Sequence, residues 1–121
     1  MHDIEHLLAK MSDAWNAGDA AAYAEVFTVD AQYISWLGTV DKGRAAIAAT
    51  HDFLFNGPLK AVKMQGGGEV DIRCLTPDVA LVTADGGKPE HAPVASVVTL
   101  VAVRTDDRWL FASFQNTRKT S

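Results

Sequence analysis

The sequence contains one cysteine, Cys74, in 121 residues. An intrachain disulfide is therefore impossible, and no multi-cysteine metal site can form. No apolar run approaches the roughly 20 residues that a bilayer span needs. The opening residues lack the basic start and apolar stretch of a signal peptide, so the expected address is cytoplasmic, with no membrane partner. Basic residues are in deficit: eleven Lys and Arg face fifteen Asp and Glu, for a net charge of −4. With no basic cluster, nucleic acid is not an expected partner. The usual short catalytic motifs are missing as well. Gly66-Gly67-Gly68 lacks the strand–turn–helix setting and the lysine of a phosphate loop, and reads as a bend. No zinc-protease helix motif and no serine at a nucleophile elbow occur. His2 and His6 have a metal-ligand spacing, but they sit near the start of the chain with no matched third ligand, so no metal is expected.

What is present is an ordinary globular composition, 48% apolar and 21% charged. The length suits one domain over residues 1–121, with a core that needs no staples. Ile4, Leu7, Leu8, Met11, Ala14 and Trp15 follow helical spacing across His2 to Asn16. Gly18 suits a left-handed cap, and Asp19 suits the N-cap of a second helix, Ala20 to Phe27. Ala31 to Leu37 reads as a strand. Gly38 to Gly43 is turn-like, with room for a short returning strand. Arg44 to Asn56 returns to helical spacing and ends at Gly57-Pro58. The second half reads as sheet: Leu59 to Leu75 (interrupted at the glycine run), Val79 to Ala84, Val94 to Thr105 and Trp109 to Thr117. Asp106-Asp107 gives a hairpin signal, and Asp85 to Pro93 reads as a mobile connection. Helices followed by strands predict an α+β fold, with three helices of the N-terminal half packed on a curved antiparallel sheet. A strongly bent sheet with helices across its mouth makes a cone, and a cone leaves a pocket.

Trp15-Asn16-Ala17-Gly18-Asp19, Val26-Phe27-Thr28-Val29-Asp30-Ala31 and Gly43-Arg44-Ala45-Ala46-Ile47 resemble, in this order, the nuclear-transport-factor-2-like superfamily. That superfamily includes the ketosteroid-isomerase and SnoaL-like cyclase groups. His51 to Gly57 and the ending Phe114-Gln115-Asn116-Thr117-Arg118 resemble its SgcJ/EcaC family, whose type member belongs to an enediyne natural-product pathway. The resemblance spans almost the whole chain. It implies a cone-shaped, cystatin-like α+β barrel, paired as a homodimer through the open sheet face. It fixes no reaction, because the superfamily hosts isomerases, cyclases, dehydratases, hydrolases and pure binders. The strands fit a dimer independently. Val97, Thr99, Val101 and Val103 alternate with Ser96, Val98, Leu100 and Ala102, so this strand needs cover on both faces. Trp109 and Phe111 alternate against Leu110, Ala112 and Phe114 in the same way.

The candidate catalytic residues are His51 and Tyr33. His51 shares a helix face with Ile47 and Phe55 and suits a general acid or base; its alternative is a core histidine satisfied by a backbone carbonyl. Tyr33 suits a donor to a developing oxyanion. Trp36, on the same strand but the opposite face, suits stacking on a planar ligand. Trp15 and Phe55 are candidate lining residues. Glu69, Asp71 and Arg73 share one strand face, and Asp71 with Arg73 could hold an enol or carboxylate. Their alternative is a solvated or dimer-facing ion pair. Asn116 shares a face with Phe114 and Arg118 and could orient a ligand, or could anchor the final strand. Cys74 reads as a buried, inert strand residue.

Together these predict a pocket for a small apolar, polyketide-like molecule. The pocket would serve cofactor-free acid/base chemistry of the isomerase, cyclase or dehydratase type. The alternatives are a non-catalytic carrier of a hydrophobic metabolite and a dimeric scaffold with a filled pocket.

Overall fold

A computed structural model of the chain describes residues 2–60, 69–85 and 96–119. Among them are three helices and six strands: α1 (His2–Ala17), α2 (Ala20–Ala24), β1 (Phe27–Ile34), β2 (Val40–Lys42), α3 (Arg44–Asn56), β3 (Val70–Thr76), β4 (Val79–Asp85), β5 (Ser96–Thr105) and β6 (Arg108–Arg118). The α+β expectation holds. Residues 61–68 of the Leu59–Leu75 strand reading, with Lys63, Gln65 and the glycine run, lie outside the described residues, as does most of the Asp85–Pro93 connection.

The helices form where the spacing predicts, and their ends have identifiable chemistry. In α1, Ile4, Leu7 and Ala14 are buried, with Leu8, Met11 and Trp15 packed at the margin of the core. Gly18, at φ 67°, closes α1. Its N–H donates to the Trp15 carbonyl and the Asp19 N–H to the Ala14 carbonyl, both at 2.9 Å. This double bond pattern satisfies carbonyls that a helix end would otherwise leave open. Asp19 then caps α2 by accepting from the Ala22 N–H at 3.1 Å. The second helix is shorter than predicted and ends at Ala24, because the next residues are drawn into the sheet. The Val26 carbonyl accepts from the Phe111 N–H at 2.8 Å, and Phe27 pairs with Phe111.

The sheet runs β2-β1-β6-β5-β4-β3. It is mixed rather than antiparallel throughout, since β1 and β6 run parallel. Two irregularities set its faces. The β1–β6 register shifts between Phe27 and Gln32. In β6, Ser113 pairs with Val101 and Phe111 with Ala102, which leaves Ala112 as an extra residue. This bulge reverses the parity along the strand. Phe111 and Phe114, predicted on opposite faces, are therefore both buried at the helix side. The predicted alternation of β5 is correct: Ser96, Val98, Leu100 and Ala102 are all buried.

Residues paired across strands share a face. The row Tyr33, Phe114, Leu100, Val82, Ile72 therefore lies on the helix side. The row Ile34, Gln115, Thr99, Thr83, Asp71 lies on the other side. β1 starts four residues earlier than predicted and ends at Ile34, so Trp36 stands in the turn rather than on the strand. Cys74 is exposed on β3, not buried as predicted, because β3 is an edge strand.

Candidate functional site

The helix side of the sheet and the three helices meet at a cluster of rings. α3 contributes His51 and Phe55, one turn apart and buried together with Ile47. The helix is fixed to β1 at its start. Gly43 adopts φ 92°, ψ 151°, and its N–H donates to the Ala31 carbonyl at 2.7 Å. The next residue, Arg44, donates from Nε and Nη2 to the Phe27 carbonyl at 3.0 and 2.6 Å. Two helical turns further on, His51 is delivered over Tyr33, with ring centroids 4.8 Å apart. Tyr23 of α2 lies 4.5 Å away, and Trp15 of α1 6.0 Å away. Phe114 stacks on Tyr33 at 4.1 Å and 4°.

The polar atoms inside this cluster are few, and each has a defined state. Nδ1 of His51 lies 2.8 Å from the Ile47 carbonyl. A carbonyl only accepts, so Nδ1 carries the hydrogen, and in the neutral ring Nε2 carries the lone pair. Burial holds the His51 pKa below its ordinary value; the Ile47 bond and the charge of Asp41 oppose that shift without cancelling it. The hydroxyls of Tyr23 and Tyr33 are 2.7 Å apart. Burial raises both phenols well above the ordinary value. The two tyrosines are thus neutral at physiological pH, with one proton shared along their bond and one free to donate. Asn116, on the helix side two residues beyond Phe114, has a buried Oδ1 with no hydrogen-bond partner among the described residues.

His51, Tyr33, Trp15 and Phe55 are brought into one cluster, and Asn116 lies on the same face beside it. Asp71 and Arg73 are not: both are exposed on the opposite face. Asp71 there lines a groove of about 620 Å3 together with Glu69, Thr83, Asp85, Val97 and Lys119. Trp36 is outside the cluster, its ring 5.9 Å from the guanidinium carbon of Arg118. Two residues escaped the sequence reading. Tyr23 fell within the predicted second helix, Ala20 to Phe27, with no role assigned to it. Asp41 looked like part of a turn, although a hairpin closed between Ser35 and Thr39 puts residue 41 opposite Tyr33. Among the described residues no group of three or more His, Cys, Asp or Glu side chains could hold a metal. No described helix is long and apolar enough to cross a membrane.

Three helices thus pack over a mixed sheet, with a cluster of buried rings and a few polar atoms between the two layers. Residues 4–116 match the SnoaL-like domain, and the chain belongs to that family. A domain of unknown function with a cystatin-like fold from Nostoc punctiforme is 30% identical, at a TM-score of 0.85 over 98% of this chain and 76% of that one. Two more distant likenesses show the fold. Aln2 from a Streptomyces species is 16% identical (TM-score 0.80, 96% of this chain, 88% of that one). A candidate scytalone dehydratase from Novosphingobium aromaticivorans is 15% identical (TM-score 0.82, 99% and 84%). No curated protein matches the sequence.

Proposed function

We propose that the protein is a cofactor-free acid/base enzyme acting on a small, largely apolar carbonyl compound, with His51 as proton carrier. The observation that carries this is the state of His51. Its Nδ1–H is committed to the Ile47 carbonyl, so the Nε2 lone pair is the basic atom, and it sits among two neutral phenols. A buried imidazole kept neutral is ready to accept a proton at physiological pH.

In this reading Nε2 takes a proton from the carbon next to the substrate carbonyl. The electron pair of that C–H bond becomes the enolate C=C bond, and the carbonyl π electrons move to oxygen. The free phenol proton of the Tyr23–Tyr33 pair donates to that oxyanion. His51 then returns the proton, to another carbon in an isomerisation or to a leaving hydroxyl, released as water, in a dehydration. Trp15, Phe55 and Phe114 supply the apolar lining. The Oδ1 of Asn116, without a partner among the described residues, suits a hydroxyl or N–H group on the ligand. Asp71 and Arg73 have no part in this site.

Within the SnoaL-like family we place the chain with the SgcJ/EcaC type, on His51–Gly57 and Phe114–Arg118, and its substrate with cytoplasmic natural-product intermediates. A Streptomyces protein and a candidate scytalone dehydratase among the fold neighbours support that direction. Half-buried Leu81, Val97, Val101 and Val103 on the outer sheet face support a homodimer paired through that face.

A carrier without turnover is the second reading. It is favoured by one observation: the tyrosine hydroxyls already satisfy each other. Native mass spectrometry of protein from its producing cells identifies the bound molecule. His51→Gln then separates the readings. An enzyme keeps the molecule and loses turnover about 100-fold or more; a carrier loses only affinity.

A further inference from the structure

Asp41 is the charged one of the two site residues that the sequence reading does not single out. It lies on β2 directly across from Tyr33, so its side chain shares the helix-side face. Its Oδ1 accepts from the Thr50 hydroxyl of α3 at 3.0 Å. Thr50 is the residue before His51. The carboxylate is therefore held from two sides, by the strand carrying Tyr33's partner position and by the helix carrying His51. The other carboxylates on the described elements around His51 are exposed: Asp3, Glu5 and Asp13 of α1, Asp30 of β1 and Asp52 of α3. Tyr23 from α2 and Tyr33 from β1 are neutral, and Arg44 on α3 is bound to the Phe27 carbonyl. Asp41 is the anion whose charge acts on both Tyr33 and His51.

We propose that Asp41 is the counter-charge of this site: held by Thr50 beside Tyr33, its carboxylate stabilises His51 while His51 carries a proton. This rests on the acid/base reading of His51. A buried imidazolium is disfavoured by lost solvation, and a fixed carboxylate nearby offsets part of that cost. Asp41 is a positioning residue. It acts on His51 through the field of its charge, from the position that Thr50 fixes. Burial and Tyr23 already hold Tyr33 in its neutral, donating form, and the same charge adds to that.

The test is a titration of the His51 ring by NMR in the full chain, assigned by the signal lost in His51→Gln. Asp41→Asn keeps an oxygen for Thr50 and removes the charge. The His51 midpoint is expected to fall by roughly half a unit to one unit. Asp41→Glu, which restores the charge, is expected to return it towards the wild-type value. An unchanged midpoint in Asp41→Asn overturns the proposal. So does an equal displacement in the Asn and Glu variants, which marks a packing effect. The readout needs no substrate: failure of the acid/base reading itself shows as undiminished turnover in His51→Gln, whatever the titration gives.

Discussion

The arrangement around Asn116 and His51 shows how a few polar atoms in an apolar setting reveal what a residue is for. The buried Oδ1 of Asn116 lacks a partner among the described residues, and an unsatisfied buried acceptor costs about 1–3 kcal/mol. Asn116→Leu, similar in shape and without the orphan, is expected to raise the melting temperature of the ligand-free protein while weakening ligand binding. Calorimetry on both forms checks it, and a destabilised variant would assign Asn116 to anchoring β6 instead. For His51 the prediction concerns pH. Its folded pKa lies below the ordinary 6.5, so below about pH 6.5 the unfolded chain binds the extra proton first. Stability is therefore full above that value and falls as pH drops towards the folded pKa. The tyrosines have the opposite sign. Their folded pKa values are raised above 10.0, so stability falls above about pH 10, where unfolded phenols ionise first. Denaturant midpoints against pH should show both edges, and His51→Gln should flatten the acid edge alone.

At the scale of elements, the site depends on where α3 begins. Gly43, at φ 92° and ψ 151°, occupies backbone territory essentially reserved for glycine, and a Cβ there would meet the Val29 carbonyl oxygen at 3.4 Å. Gly43→Ala is expected to cost about 1–3 kcal/mol, measured by urea unfolding. Arg44→Ala removes both guanidinium bonds to the Phe27 carbonyl. It is expected to broaden the His51 and Tyr33 ring signals before it unfolds the domain; unchanged spectra would show that Gly43 alone seats the helix. The helix spacing, the α1 cap at Gly18, the Asp19 cap, the position of α3 and the inward face of β5 were legible in the sequence, since each depends on residues within a turn or two. What was not legible depends on partners far along the chain. Phe27 leaves the helical pattern because Phe111 pairs with it. Phe114 changes face because Ala112 is extruded opposite a continuous β5. Asp71 and Arg73 sit on the outer face because their row leads through Thr83 and Leu81 to that side. No local pattern encodes such register choices.

For the molecule as a whole, the apolar stripe on the outer face gives the most direct prediction. With Leu81, Val97, Val101 and Val103 half-buried on a face that no described helix covers, light scattering should report twice the chain mass at micromolar concentration. Replacing Val101 with Lys should yield monomer, with the ring cluster intact. A wild-type monomer would remove the homodimer from the reading. The order of the sheet carries a further consequence. β6 follows every other described strand in the sequence, yet it lies inside the sheet between β1 and β5. A ribosome releases it after all of them, so β1 and the β5 side must wait apart until it arrives. The sheet side of the ring cluster, Phe114 and Asn116 included, then closes in one late event rather than growing with the nascent chain. A stalled or shortened chain would thus hold its helices and half a sheet with no site, and its exposed strand edges would suit a chaperone better than a substrate.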